Sequence, residues 1–128
     1  MTRFTRVLLI ATVLAMAPHV LSAQGREPDA DSIRVATSAI RGDLRNFLTA
    51  QEAYFADNGA YAQSIRTLAT FYNTSPTVTV VLLTSSATSH SEIAIDRRVP
   101  GLVCGMFIGD VAPPLGRGSE AEIVCRGP

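Results

Sequence analysis

The sequence contains no lysine, and it has only two cysteines and two histidines among its 128 residues. Every basic residue is therefore an arginine. Schiff-base chemistry, a P-loop lysine and a lysine general base are excluded, because each requires a primary amine on a side chain. The scarcity of cysteine and histidine also restricts metal binding and nucleophilic catalysis to a few positions.

Positive charge is not concentrated anywhere along the chain. The formal net charge is zero, and Arg97 and Arg98 form the only adjacent pair of arginines. A nucleic-acid backbone or an anionic membrane surface is usually bound by a basic stripe or patch. The sequence therefore shows no sign of a nucleic-acid partner or of a polybasic membrane contact.

The N-terminus has the order of a secretory signal peptide: arginines, a mainly apolar run at residues 7–17, then Pro18 and small residues. The run spans about 16 Å as a helix, well short of the roughly 30 Å of a bilayer core. We therefore predict a signal peptide at residues 1–23 and one globular domain at residues 24–128. Retention of residues 7–23 as a membrane anchor is the alternative.

Both cysteines, Cys104 and Cys125, lie in the predicted mature domain. An even pair in an oxidising compartment predicts a disulfide, which would stabilise the domain by roughly 3 kcal/mol on the chain-entropy model. A metal site would need further cysteine or histidine ligands, and the mature chain offers only His90. We predict neither a metal nor a cofactor.

Apolar residues recur every three or four positions over about 25 residues from Ile33, with Gln51 as one polar member, and predict an amphipathic helix. Asp31 or Ser32 is expected to cap its first turn. Residues 57–59, Asp-Asn-Gly, are expected to end it, because asparagine and glycine tolerate the left-handed conformation that closes a last turn.

Ser64 is expected to cap a short second helix at residues 65–71, with Phe71 facing inward. Beyond it the apolar period changes to two, which is typical of strands. The predicted strands are residues 77–83, 92–96, 102–108 and 121–125. Their short connections favour antiparallel pairing. The predicted fold class is α+β, with a long N-terminal amphipathic helix packed on a four-stranded antiparallel β-sheet.

No catalytic constellation stands out. A Ser/His/Asp triad would have to be drawn from Ser85, Ser89, His90 and Asp96. Adjacent turn residues point in different directions, and no glycine-framed nucleophile elbow is present, so we interpret His90 as a solvated loop residue. Asp57 and Asp110 are explained as helix-end and loop residues rather than as paired catalytic acids.

Five aromatic residues cluster in sequence near the end of the long helix: Tyr54, Phe55, Tyr61, Phe71 and Tyr72. Their spacing favours packing of the helix end, and a stacking surface for sugars or bases is the alternative. The glycines of the loop at residues 109–119 lie between strands rather than before a helix, so they do not predict a phosphate site.

Residues 44–68, LRNFLTAQEAYFADNGAYAQSIRTL, resemble the type IV pilin family where the long N-terminal helix ends and the connecting loop begins. Residues 99–109 and 122–125 are similar to the last two strands of that family, with their disulfide. The resemblance covers roughly residues 33–126. It implies a pilin or pseudopilin headgroup, in which a helix packs on an antiparallel sheet and a disulfide bounds the C-terminal loop.

The N-terminus departs from the family pattern of a basic leader ending in glycine and followed by Phe-Thr-Leu-Ile-Glu. Here Phe4 and Thr5 are followed by Arg-Val-Leu, without the glycine or the glutamate. A prepilin leader motif is therefore not recognisable, which argues against incorporation into a filament core.

We predict a non-enzymatic, pilin-like structural or protein-interaction domain, exported to the periplasm or the cell exterior. Its expected partners are other proteins, with the loop at residues 109–119 as the contact surface. One alternative is a membrane-anchored minor pilin or pseudopilin of a type IV pilus or type II secretion system. Another is a small extracytoplasmic binding protein or hydrolase using Tyr54, Tyr61 and His90.

Overall fold

The computed structural model describes residues 27–128, so the predicted signal peptide at residues 1–23 lies outside the described residues. Helix α1 (Ala30–Asn58) is followed by a 3-10 helix (Ile65–Leu68) and by strands β1 (Val78–Ser85), β2 (His90–Asp96), β3 (Val103–Ile108) and β4 (Val124–Arg126). The strands form one antiparallel sheet in the order β1-β2-β3-β4. The predicted α+β class, with a long helix on a four-stranded antiparallel sheet, is confirmed.

Helix α1 is capped two or three residues earlier than predicted. The Asp29 side chain accepts a hydrogen bond from the Ser32 backbone N–H at 2.8 Å, so the expectation of Asp31 or Ser32 as the cap was wrong. Asp29 has the extended backbone that a cap requires, whereas Asp31 lies inside the first turn and pairs with Arg34 at 3.0 Å. The other end agrees with the sequence, because Gly59 adopts φ 70° and closes the last turn.

The predicted second helix is only a 3-10 turn. Ser64 caps it as expected, but the bonds from Ala69 N–H to Arg66 O and from Phe71 N–H to Leu68 O span three residues and close turns rather than an α-helix. Leu68 is fully buried, whereas Phe71 is 49% exposed and does not face inward as predicted. A segment this short is held by packing of its one buried side chain rather than by helix propensity.

The core lies between one face of α1 and one face of the sheet. Five apolar helix residues at the centre of this face are nearly inaccessible to solvent: Ala36, Ile40, Leu44, Phe47 and Ala50. They pack against alternate residues of the strands, including Val78, Val80, Ala94, Cys104 and Met106. Burial of each large apolar side chain contributes about 1.5 to 3 kcal/mol, so this contact surface is the main source of stability.

Three strand bounds differ from the prediction by two residues or more, and the others agree to within one residue. Strand β2 begins at His90, two residues before the predicted start, and β1 runs to Ser85 through an irregularity between Leu82 and Thr84. Strand β4 begins only at Val124. The preceding chain still turns at Ala121, which adopts φ 62° and therefore cannot continue a ladder.

The loop between β3 and β4 folds back over the sheet face that points away from α1. A Cβ atom placed on Gly105 would lie 2.8 Å from Cγ of Pro114, which is closer than carbon atoms pack. Glycine at this position therefore allows the loop to lie directly on the sheet.

Gln51 is the polar member of the apolar helix face, and the structure explains it. Its side-chain oxygen accepts the Ala62 backbone N–H at 2.9 Å, and its amide donates to the Ala62 carbonyl at 3.1 Å. The side chain is fully buried. Gln51 thus satisfies a buried peptide group of the connecting loop, as water would if that group were exposed.

We expect Gln51→Met to lower the free energy of unfolding by about 2 kcal/mol, because methionine keeps the volume but leaves the Ala62 N–H buried without an acceptor. Urea denaturation followed by circular dichroism measures the change. The exposed Gln63→Met is the matched control and should stay within about 0.5 kcal/mol of the wild type. Equal stability of all three proteins would contradict this role for Gln51.

Candidate functional site

The two predicted site residues are joined. Cys104 and Cys125 form a disulfide with an S–S distance of 2.10 Å, and they are directly opposite each other in the β3–β4 register. Cys104 is fully buried on the helix-facing side of the sheet. Since β4 pairs through only three residues, the disulfide fixes this short edge strand and closes the base of the loop after β3.

The candidate triad residues are not assembled. Asp96 lies at the opposite end of β2 from His90, and its carboxylate pairs with the guanidinium of Arg98. The hydrogen bonds to Arg98 hold the pKa of Asp96 at about 2. The serine hydroxyls are also engaged locally, because Ser85 bonds to a loop carbonyl and Ser89 to a neighbouring serine.

His90 is a buried strand residue, so its interpretation as a solvated loop residue was wrong. It opens β2 and lies opposite Ser85 of β1 and Ile108 of β3, on the face that meets α1. The ring is fully buried against Tyr61, at a centroid distance of 4.6 Å, and Phe47, at 6.3 Å, both in edge-on orientation. The serine-rich turn that was expected to contain His90 ends at Ser89.

His90 forms a buried pair with Glu92. Its Nδ1 lies 2.7 Å from Oε2 of Glu92, and neither side chain is exposed to solvent. Glu92 is flanked by Leu82 and Met106 on the adjacent strands. Burial raises the pKa of the Glu92 carboxyl, and the hydrogen bond and charge of His90 partly oppose the shift.

Three polar atoms of this region have no hydrogen-bond partner among the described residues: Nε2 of His90, Oε1 of Glu92 and the hydroxyl of Tyr72. Burial, followed by the negative charges of Asp43 and Glu92, raises the pKa of Tyr72. The nearby Asp43 carboxylate is better satisfied, since it accepts two bonds from Ser75. We call His90, Glu92, Tyr61 and Tyr72 the buried polar cluster.

The buried polar cluster was missed by sequence reasoning, although a signal existed. Residues 90–96 read His-Ser-Glu-Ile-Ala-Ile-Asp, and extending the period of two back to His90 would have placed both partners on one face. Because both side chains are enclosed, a substrate does not reach the pair in this conformation. The pair is a hydrogen-bonded contact within the core.

The five aromatic residues divide into three groups by burial, and Tyr54 and Phe55, which are half-buried, form the intermediate group. Tyr61 and Tyr72 are buried, as the packing interpretation predicted, and the Tyr61 ring also contacts Phe55 at a centroid distance of 4.7 Å. The Tyr61 hydroxyl donates a hydrogen bond to the Glu52 carboxylate at 2.8 Å. Burial and, second, this hydrogen bond raise the pKa of Tyr61 to about 12. Phe71 alone is largely exposed, so these residues do not form a flat stacking surface.

The loop between β3 and β4 is ordered by its own hydrogen bonds. Glu120 accepts the backbone N–H of Gly109 and Glu122 accepts that of Ser119, both at 2.8 Å. Two adjoining grooves, of about 250 and 390 Å³, lie between its end and α1 and share Arg41, Glu122 and Ile123 as lining residues. This surface is outward-facing and mixed in charge.

A third groove, of about 440 Å³, follows the outer edge of β1. Its lining consists of residues 63–65 on one side and residues 80–85 on the other. None of these residues is charged.

Within residues 27–128, no group of three or more histidine, cysteine, aspartate or glutamate side chains is arranged to hold a metal ion. In the same range, no helix is both long and apolar enough to cross a membrane. No protein-family model matches the sequence, and none of the curated proteins is significantly similar to it.

We expect Glu92→Gln to gain stability relative to the wild type as the pH rises. A carboxyl with a raised pKa contributes its full stability below its ordinary value of 4.5 and loses it as the pH rises through the folded-state value. Glutamine keeps the acceptor for His90 but does not ionise. The difference in unfolding free energy should change with a slope approaching about 1.4 kcal/mol per pH unit.

Urea denaturation of both proteins between pH 4 and 8 tests this expectation. Glu27→Gln, at an exposed position near the start of α1, is the control and should follow the wild type at every pH. Parallel curves for the wild type and Glu92→Gln would show that burial does not affect ionisation of the Glu92 carboxyl.

Removal of the disulfide should destabilise the domain. We expect the double variant Cys104→Ala, Cys125→Ala to lose about 3 kcal/mol of unfolding free energy, because the unfolded chain is no longer constrained. Chemical denaturation with and without a thiol reductant measures this loss. The reductant should destabilise the wild type and leave the double variant unchanged; an equal response of both proteins would contradict the assignment.

Proposed function

We propose that this chain is an exported, pilin-like domain without catalytic activity, which acts through contacts with other proteins. The observation that carries the proposal is the agreement between two sequence resemblances and the parts of the fold in which they occur. Residues 44–68 contain the end of α1 and the loop after it. Residues 99–109 contain β3, and residues 122–125 contain most of β4 with the second cysteine of the disulfide.

The helix end supports the proposal because its distinctive residues have architectural roles. Gly59 closes the last turn, Gln51 binds the backbone at Ala62, and Glu52 accepts the Tyr61 hydroxyl. The motif that carries the pilin resemblance therefore directs the chain from the helix to the sheet. The arrangement of these side chains supports a structural role for the motif.

The disulfide supports export. Such bonds persist in oxidising compartments and are rare in the cytosol of mesophiles. In this chain the bond joins a three-residue edge strand to the sheet, where a reduced pair would leave few contacts to hold it. An exported domain of this size gains a substantial part of its stability from one such bond.

The proposed contact surface is the loop at residues 109–119. It connects the last two strands, lies against the sheet near Gly105, and is anchored at both ends by carboxylates that accept hydrogen bonds from backbone N–H groups. The disulfide between Cys104 and Cys125 closes its base. An anchored loop loses less conformational entropy on binding than a free one, which favours recognition by a protein partner.

A membrane-anchored minor pilin or pseudopilin is the second candidate, and Leu21 favours it, because a small residue is usual at that position before a signal-peptide cleavage site after Ala23. The two candidates differ in where the mature chain begins. In the first, Gln24 is the N-terminus of a soluble protein; in the second, residues 7–23 remain attached and hold the domain at the inner membrane.

Mass spectrometry of the mature N-terminus, combined with cell fractionation and thiol labelling, tests both candidates. We expect a chain that begins at Gln24, lies in the periplasmic or extracellular fraction and has no free thiol. The control Leu8→Arg, Leu9→Arg interrupts the apolar run and should leave a full-length cytoplasmic chain with two free thiols.

Recovery of residues 7–23 with the membrane or with sheared surface filaments would replace the first candidate with the second. A full-length wild-type chain in the cytoplasm with reduced cysteines would contradict both.

A further inference from the structure

Strand β1 is an edge strand of the sheet. It spans eight residues, Val78–Ser85, and pairs only with β2 among the described residues. Edge strands of soluble proteins are usually guarded by charged residues, by proline or by shortness, because their free N–H and C=O groups pair readily with another strand. Strand β1 contains no charge and no proline.

The lack of charge extends well beyond the strand. No arginine, aspartate or glutamate occurs in residues 67–91, and the groove along the edge is lined only by uncharged residues. Two copies of this edge therefore approach each other without like-charge repulsion. A charged extended peptide would find no complementary charge in the groove, which favours an equally uncharged strand as its occupant.

We propose that β1 pairs with β1 of a second copy of this chain, antiparallel and about a two-fold axis at Val81, so that two four-stranded sheets become one sheet of eight strands. The inference does not depend on the pilin-like interpretation. It rests on the composition, burial pattern and position of β1.

The proposed register makes the strand complementary to itself. Val81 lies opposite Val81 of the second copy, and Val80 lies opposite Leu82. Directly opposite residues in antiparallel strands share a face, so these pairs keep the helix-facing side chains of both copies on one side. Apolar side chains then meet apolar side chains on both faces near the axis.

The exposed face of the sheet gives a second reason for pairing. Val81 is 41% exposed and Leu83 is 49% exposed, both on or beside the edge. In the paired sheet Val81 lies next to Val81 of the second copy and Leu83 lies opposite its Thr79, so both exposed side chains lose part of their contact with water. Burial of apolar area is the main favourable contribution to association.

The geometry favours a closed dimer over a fibre. The irregularity between Leu82 and Thr84 bends the end of β1 and limits the paired length. The opposite edge of the sheet, β4, has only three residues and carries Arg126, so it does not provide an equivalent second contact. One isologous contact per copy closes on itself with two-fold symmetry.

The test compares Val81→Lys with Ile95→Lys in analytical ultracentrifugation of the purified chain over a wide concentration range. Ile95 is 44% exposed on the same face but lies in β2, away from the edge. A dimeric wild type is expected. Val81→Lys should weaken dimerisation at least tenfold because it places two ammonium groups opposite each other, and Ile95→Lys should change it by less than about threefold.

Cross-linking provides a measurement of register. Oxidation of Val81→Cys should give a covalent dimer, since residues on the two-fold axis have Cα atoms about 4.5 to 5.5 Å apart, within reach of a disulfide. Ile95→Cys should remain uncross-linked under the same conditions. Circular dichroism establishes that each variant is folded.

Three results would overturn the proposal. The first is a wild type that is monomeric at every concentration. The second is a dimer that Ile95→Lys weakens as much as Val81→Lys, which would place the contact on the sheet face. The third is a monomer whose β1 amides resist hydrogen exchange, which would assign the edge to another segment of the same chain.

Discussion

The backbone of Ala62 is the point on which the arrangement of the elements depends. Its N–H and C=O are both bonded by the Gln51 side chain of α1, and the C=O also accepts the Ser85 hydroxyl of β1 at 2.9 Å. One residue of the loop after α1 thereby connects the helix to the edge of the sheet. The neighbouring Tyr61 extends this connection, because its N–H bonds to Ala87 and its ring covers His90.

The buried polar cluster is enclosed because the loop at Ala62 is bound to both α1 and β1. The loop lies across the end of the sheet, so the His90 ring is buried against Tyr61 and Phe47. Neither His90 nor Glu92 can reach water, and they therefore form a hydrogen bond with each other. Enclosed ionisable pairs of this kind contribute little net stability compared with apolar residues of the same shape, but loss of one partner is costly. The cluster therefore makes the domain sensitive to changes at either residue.

Much of the fold could be predicted from local pattern. The apolar spacing from Ile33 indicated the helix, Gly59 indicated its end, and the alternation after residue 76 indicated strands, since each signal is carried by neighbours in sequence. His90 was misassigned because a serine-rich turn and a strand start are alike in composition. The cap at Asp29 was missed because several nearby acids and serines suit the position equally well, and only backbone conformation selects one.

Composition and spacing were enough to predict the class of fold, the absence of lysine chemistry, the disulfide and the helix end, because each depends on residue types or on neighbours in the chain. The roles of Gln51, Glu92 and β1 depend instead on three-dimensional packing. Their roles follow from the groups that lie opposite them in the fold: the Ala62 backbone for Gln51, His90 for Glu92 and the free edge of the described sheet for β1. These positions are set by packing of α1 on the sheet.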